Sequence, residues 1–158
     1  MIKLHEQQSV FIRQSTEVVF AYISNLENLM VWSSVFASVR LVPPLARQAG
    51  AVMRCTIYFA KKRMDFTFEI IEYEPCSVFT LKSIAGIAPC YIHFQLAKAA
   101  CGGTNLTREA TVQLMENNTT MDDDSLIQAI REQLSYNLLA LKDILESWNE
   151  MLDSATDQ

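Results

Sequence analysis

Met53-Arg54-Cys55-Thr56-Ile57-Tyr58-Phe59-Ala60-Lys61-Lys62-Arg63-Met64-Asp65-Phe66-Thr67-Phe68-Glu69-Ile70 holds two alternating runs that meet at a basic tip. If Lys61 and Lys62 form a two-residue turn, Phe59 faces Met64, Ile57 faces Phe66, Cys55 faces Phe68 and Met53 faces Ile70. Every pair on that side is apolar or thiol, and a slip of one residue would exchange the two faces. The other side pairs Tyr58 with Asp65, Thr56 with Thr67 and Arg54 with Glu69, which makes a polar, salt-bridged surface. A hairpin that is dry on one face and wet on the other predicts an antiparallel sheet in need of a cover. Taking Glu74-Pro75 as the next turn keeps the parity and sets Phe79 and Leu81 beside Ile70 and Phe68.

Outward from this hairpin, strands are expected at 2–12, 35–42, 51–60, 63–73, 77–84, 90–97 and 104–115, seven in all. Pro43-Pro44, Gly86 to Pro89 and Gly102-Gly103 separate several of them. After the first strand, Ser15 can cap a short helix through Val18, Val19, Phe20 and Ile23, and Asn25 a second with Leu26, Leu29, Met30 and Trp32. The cover comes last. Ser125 and Gln128 form a capping box behind Asp122, Asp123 and Asp124, acids that suit a helix N-terminus. Ile127, Ile130, Leu134, Leu138, Leu141, Leu145, Trp148 and Leu152 then share one helical stripe. About 28 helical residues would run about 40 Å. The expected class is α+β, one domain over 1–152 with a disordered tail at 153–158.

At 158 residues the chain can bury a core without staples. Its net charge of −5 argues against nucleic acid, which needs a concentrated basic surface. The run Lys61, Lys62, Arg63 reads as a solvated turn. Met1 to Phe11 has no apolar leader region, and no membrane-spanning apolar run follows, so a cytoplasmic protein without a membrane span is expected. Cys55, Cys76, Cys90 and Cys101 lie in separate segments with no C-x-x-C, so they read as free thiols. No metal site or cofactor is expected, and nothing in the pattern specifies an oligomer.

The order of one strand, two short helices, six strands and a long helix resembles the START-like or helix-grip superfamily, also called SRPBCC. Within it, the chain is similar to the polyketide cyclase/dehydrase-like group of bacterial proteins. The resemblance rests on Ser15-Thr16-Glu17-Val18-Val19-Phe20-Ala21-Tyr22-Ile23-Ser24-Asn25-Leu26-Glu27-Asn28-Leu29 leading to Trp32. It rests also on Glu69-Ile70-Ile71-Glu72-Tyr73-Glu74-Pro75 and on Gly103-Thr104-Asn105-Leu106-Thr107. It implies a hydrophobic cavity between sheet and long helix, in a superfamily that includes lipid carriers, hormone receptors, aromatase/cyclases and chaperone regulators. These motifs set turns and packing, so they speak to fold and not to chemistry.

Residues with chemistry are few. His5 lies near the start of the first strand, and His93 points outward if Ile92 and Phe94 face the core. No G-x-S-x-G elbow occurs. Arg108 resists a bland account, because Leu106, Arg108, Ala110, Val112 and Leu114 share the inner parity of the last strand. An inward arginine must find an anion or acceptors. It anchors a ligand oxyanion, pairs with an internal acid, snorkels out at the mouth, or is turned outward by a bulge. Trp32, Phe36, Met53, Cys55, Ile57, Phe66, Phe68, Phe79, Leu81, Phe94, Leu134, Leu138 and Leu141 are the other residues expected to touch a ligand, with Phe59 and Met64 in the same soft stripe. Plain core is the competing account of these side chains. The expected function is binding of a lipid-, aromatic- or polyketide-like small molecule. A cyclase or dehydratase using the same cavity, and an interaction domain with a collapsed cavity, stay open beside it.

Overall fold

The computed structural model describes residues 2–44 and 47–156, with side chains through 151. Ala60 and Lys61 both sit at positive φ (51° and 63°), so they, rather than Lys61 and Lys62, are the central residues of the tight turn. Positive φ at both positions is the pattern whose twist matches a two-stranded ribbon. The turn lies one residue earlier than expected, so every cross-strand partner moves by two. Strand β3 (Val52–Phe59) therefore meets β4 (Lys62–Glu74) through Met53–Phe68, Cys55–Phe66, Ile57–Met64 and Phe59–Lys62. A shift of two preserves both faces, and the dry side survives. On the wet side Arg54 meets Thr67 instead of Glu69, Tyr58 meets Arg63, and Thr56 donates a 2.8 Å hydrogen bond to Asp65. Left-handed backbone is costly for residues with a side chain, so replacing Ala60-Lys61 by Asn-Gly should raise stability by roughly 1 kcal/mol, read from chemical denaturation.

The next hairpin runs from β4 to β5 (Val78–Gly86) through Pro75 to Ser77, with Cys76 at φ 64°. Irregularities between Thr67 and Phe68 and between Ile70 and Glu72 alter its register. Leu81 thus pairs with Ile70, while Phe79 pairs with Tyr73 and Phe68 with Ser83, correcting the simple ladder. The remaining strands are β1 (Ile2–Ile12), β2 (Phe36–Val42), β6 (Cys90–Lys98) and β7 (Thr104–Leu114). All pairings are antiparallel, in one sheet of order β1-β7-β6-β5-β4-β3-β2. Return of β7 to β1 requires a close approach at Gly103, where a Cβ would lie 2.6 Å from the Phe11 ring and 2.9 Å from the Ile12 carbonyl.

Helix α1 (Thr16–Ser24) begins where Ser15 Oγ accepts from the Val18 amide at 3.2 Å, as expected. A short 3-10 turn (Leu26–Asn28) leads into α2 (Leu29–Trp32). Asn25 makes no capping bond there. Instead, the Asn28 side chain donates to the Tyr22 carbonyl at 3.0 Å. The long helix α3 (Asp123–Thr156) starts before Ser125, because Asp122 is its cap. The Asp122 carboxylate accepts from the Ser125 amide at 2.8 Å and from its hydroxyl at 2.9 Å, which holds that carboxyl below its ordinary range. Gln128 reaches Glu132 rather than closing a box with Ser125. Residues 153–156 are helical instead of tail; 157 and 158 lie outside the described residues, as does the Leu152 side chain.

Along α3, Leu126, Leu138, Leu141 and Leu145 are buried, and Ile127, Ile130, Leu134 and Trp148 are half-buried. The second half of the helix is tied to the end of β1: Gln14 donates to the Leu145 carbonyl at 2.8 Å, and Glu146 accepts from the Arg13 amide at 2.9 Å. There the core is solid. Phe20 stands edge-on to Tyr73 with ring centres 5.2 Å apart, and Phe79 stacks on Phe94 at 6.2 Å. The first half of α3 stands over a less completely filled stretch of the sheet. No helix among the described residues is long and apolar enough to cross a membrane.

Candidate functional site

A cavity of about 260 Å³ lies between the inner face of the sheet and the first half of α3. Its walls come from several elements because the inner face alternates along every strand. Strand β7 contributes Arg108, Ala110, Val112 and Leu114; β6 contributes Cys90, Ile92 and Phe94; α3 contributes Leu126, Ile130, Gln133, Leu134 and Asn137. Lys62, Arg63, Ile87, Glu116, Asn118 and Thr119 also border it, and Ile87 is largely exposed.

Of the residues expected at the wall, Arg108, Trp32, Phe36, Ile57, Phe66, Phe68, Leu81, Phe94 and Leu134 border the cavity. So do Phe59 and Met64. Met53, Cys55, Phe79, Leu138 and Leu141 do not, although all are buried. They belong to the buried core cluster without reaching the open space. Parity tells which way a side chain points; it does not tell how far along the strand the packing opens.

Arg108 is 2% exposed. Its Nη1 donates to the Leu134 carbonyl and its Nη2 to Gln8 Oε1, both at 2.8 Å, and its Nε has no partner. Gln8 in turn donates to Ser135 Oγ. The register of β7 is unbroken on both sides, with Arg108 opposite Gln8 on β1 and Phe94 on β6. The guanidinium is therefore neither snorkelled out nor turned outward by a bulge, and its observed partners are neutral acceptors. Burial pushes its pKa down to about 10, with the charge of Glu6 acting in the opposite direction.

Asn137 was not singled out in the sequence. It is buried on the covering face of α3, where it donates to Ser33 Oγ at 3.0 Å and accepts from Gln133 at 2.8 Å. An amide between Leu134 and Leu138, on the apolar side of the helix, was a visible signal. Trp32 is also buried beside the cavity, with its Nε1 unpaired. Burial pushes the Cys55 and Cys90 thiols up to about 12, so neither is poised as a thiolate.

The histidines lie elsewhere. His93 Nδ1 is 2.6 Å from Thr80 Oγ1, which donates to Glu72 at 3.1 Å, and His5 Nδ1 is 3.0 Å from Thr111 Oγ1. Neither histidine borders the cavity. Among the described residues no cluster of His, Cys, Asp or Glu suits a metal ion.

No family model matches the chain, and no curated protein matches its sequence. Solved structures do. A START superfamily protein from Mycobacterium smegmatis superposes with a TM-score of 0.74 at 14% identity, covering 91% of this chain and 98% of that one. The Zhui aromatase/cyclase from Streptomyces sp. R1128 gives a TM-score of 0.72 at 11% identity, covering 94% of each chain. The ginseng major latex-like protein 151 from Panax ginseng gives 0.67 at 8% identity, covering 92% of this chain and 99% of that one. The seven-stranded sheet, the two short helices after its first strand and the long closing helix are thus the START-like helix-grip fold, shared with an aromatase/cyclase.

Proposed function

We propose that this protein binds an apolar or aromatic small molecule by enclosing it between the sheet and α3. The observation that carries the reading is an apolar cavity of about 260 Å³ between sheet and helix, with a buried arginine on its wall. Volume sets the scale of the guest. An apolar cavity of about 150 Å³ holds a benzene molecule, and drug-sized pockets start near ~300 Å³. The proposed guest is therefore compact, and Arg108 is the proposed anchor for its polar end. The four thiols, all free, fit the reducing conditions of a cytoplasm, which is the proposed location.

Cyclase or dehydratase chemistry is the second reading, favoured by Arg108 as a group that could polarise a substrate oxygen. Both histidines stand away from the cavity, the Cys90 thiol is held neutral, and the carboxylate on its border, Glu116, lies past the Leu114 end of β7, away from Arg108. Enclosure therefore ranks above catalysis. A collapsed, purely structural cavity ranks below both, given the volume present.

A neutral dye, N-phenyl-1-naphthylamine, should bind the native protein with one-to-one stoichiometry and be displaced by flat aromatic compounds. Phe68 is 1% exposed and borders the cavity, so Phe68→Trp should fill part of it. The dye should then bind about tenfold more weakly, while overpacking costs only about 1–3 kcal/mol of stability. Fluorescence titration at increasing urea checks the reading, because binding confined to partly unfolded protein would remove its support.

A further inference from the structure

The polar groups deep in the cavity are one-sided. Two buried side chains on its wall, Arg108 and Trp32, each retain a donor, Nε–H and Nε1–H, that no group among the described residues accepts. Native interiors pair nearly all such groups, so two on one cavity form a pattern. They lie at the same end. Phe94 is directly opposite Arg108 in the β6–β7 ladder, and its ring stands edge-on to Trp32 at 6.1 Å. The buried amide there is already engaged, since the Asn137 carbonyl oxygen accepts from Gln133.

Charge points the same way. Arg108 donates only to neutral oxygens, and no ion pair among the described residues includes it. A buried cation without a contacting counter-charge is unfavourable; Glu6, whose charge reaches Arg108, is itself paired with Arg131 at 3.1 Å, and a guest anion of single charge offsets the cation directly. Phosphate would bring more charge than one guanidinium balances. Position adds direction. Along β7 the wall passes from the buried Arg108 through Ala110, Val112 and Leu114 to Glu116, and Lys62 and Arg63 border the cavity at that far end, where charges of both signs meet. What sets the Arg108 end apart is burial: its cation is 2% exposed, and both unaccepted donors lie there.

Resting on the enclosure reading, we infer that the guest is a compact monocarboxylic acid, a one- or two-ring aryl acid or a medium-length alkyl acid, bound carboxylate-first. The carboxylate lies against Arg108, Trp32 offers a second donor, and the apolar body fills the space toward Glu116. Diacyl lipids are too large for this space.

Calorimetric titration of the full chain with 2-naphthoate and with 2-naphthamide separates charge from shape. The acid should bind the unaltered protein at least tenfold more tightly than the amide. Arg108→Met, which keeps the apolar stem, should weaken naphthoate by tenfold to a hundredfold and the amide by less than about threefold. Trp32→Phe should weaken both probes alike, because each presents a carbonyl oxygen. If Arg108→Met fails to fold, the acid-to-amide ratio in the unaltered chain decides alone. Equal or preferred binding of the amide there would overturn this inference and leave the enclosure reading standing, provided the neutral dye still binds. Failure of the dye and both probes would overturn the two together.

Discussion

Ending the chain at Asp124 should yield an unfolded, aggregating product, because α3 is the cover on which the inner sheet face depends. Its buried leucines, Leu126, Leu138, Leu141 and Leu145, show the scale. At about 1.5–3 kcal/mol each they contribute roughly 6–12 kcal/mol, against a total stability of about 5–15 kcal/mol for a typical domain. The cut would also remove the Leu134 carbonyl that accepts from Arg108 and the Leu145 carbonyl that accepts from Gln14. A charge would lose a partner and apolar surface would be bared in the same step. Circular dichroism and gel filtration of the 1–124 fragment give the measurement. A monomer with a cooperative melt would place the core elsewhere.

The fold was legible because its strongest signals are periodic. Alternation at 53–59 and 62–70 assigns the two faces even when the turn is misplaced by one residue, since the resulting two-residue shift leaves parity unchanged. What alternation could not supply was the turn itself. Ala60 and Lys61 are poor residues for left-handed backbone, so no Asn-Gly signal marked the position. The irregularities in the β4–β5 ladder were equally silent, and they moved Phe79 from Ile70 to Tyr73. Likewise Ser125 looked like the cap of α3, whereas Asp122 caps it and Ser125 is a partner of that cap.

The candidate site was legible in direction and not in extent. Arg108 stood out as a charge on an apolar parity, and it is buried beside the cavity as that parity implies. Its neutral partners, Gln8 and the Leu134 carbonyl, belong to segments far away in the chain, and no local pattern joins them. Cys55 and Met53 share the inward parity of Ile57. Only Ile57, nearer the Ala60-Lys61 turn, meets open space. The Ile87-Ala88 stretch borders the cavity from a loop, where periodicity carries no information.

That boundary between wall and core can be tested with two phenylalanines. Phe79 and Phe94 are both almost fully buried, stack on each other with ring centres 6.2 Å apart, and sit on neighbouring strands in direct register. Either Phe→Ala change should cost about 3–5 kcal/mol. For a domain of this size that corresponds to a fall of roughly 6–20 °C in melting temperature, seen alike for both variants. Their ligand behaviour should diverge. Phe94 borders the cavity, so its truncation adds a ring-sized space to the existing volume. Phe94→Ala should therefore accept a three-ring probe such as 2-anthroate at least tenfold better than the unaltered protein. Phe79 is enclosed by Phe20, Tyr73 and Phe94, so Phe79→Ala opens a void with no path to the guest and should leave the preference between two- and three-ring acids unchanged. Thermal melts and paired titrations give both readouts. A gain in three-ring binding at Phe79→Ala and not at Phe94→Ala would mean that the binding space lies on the other side of this aromatic pair.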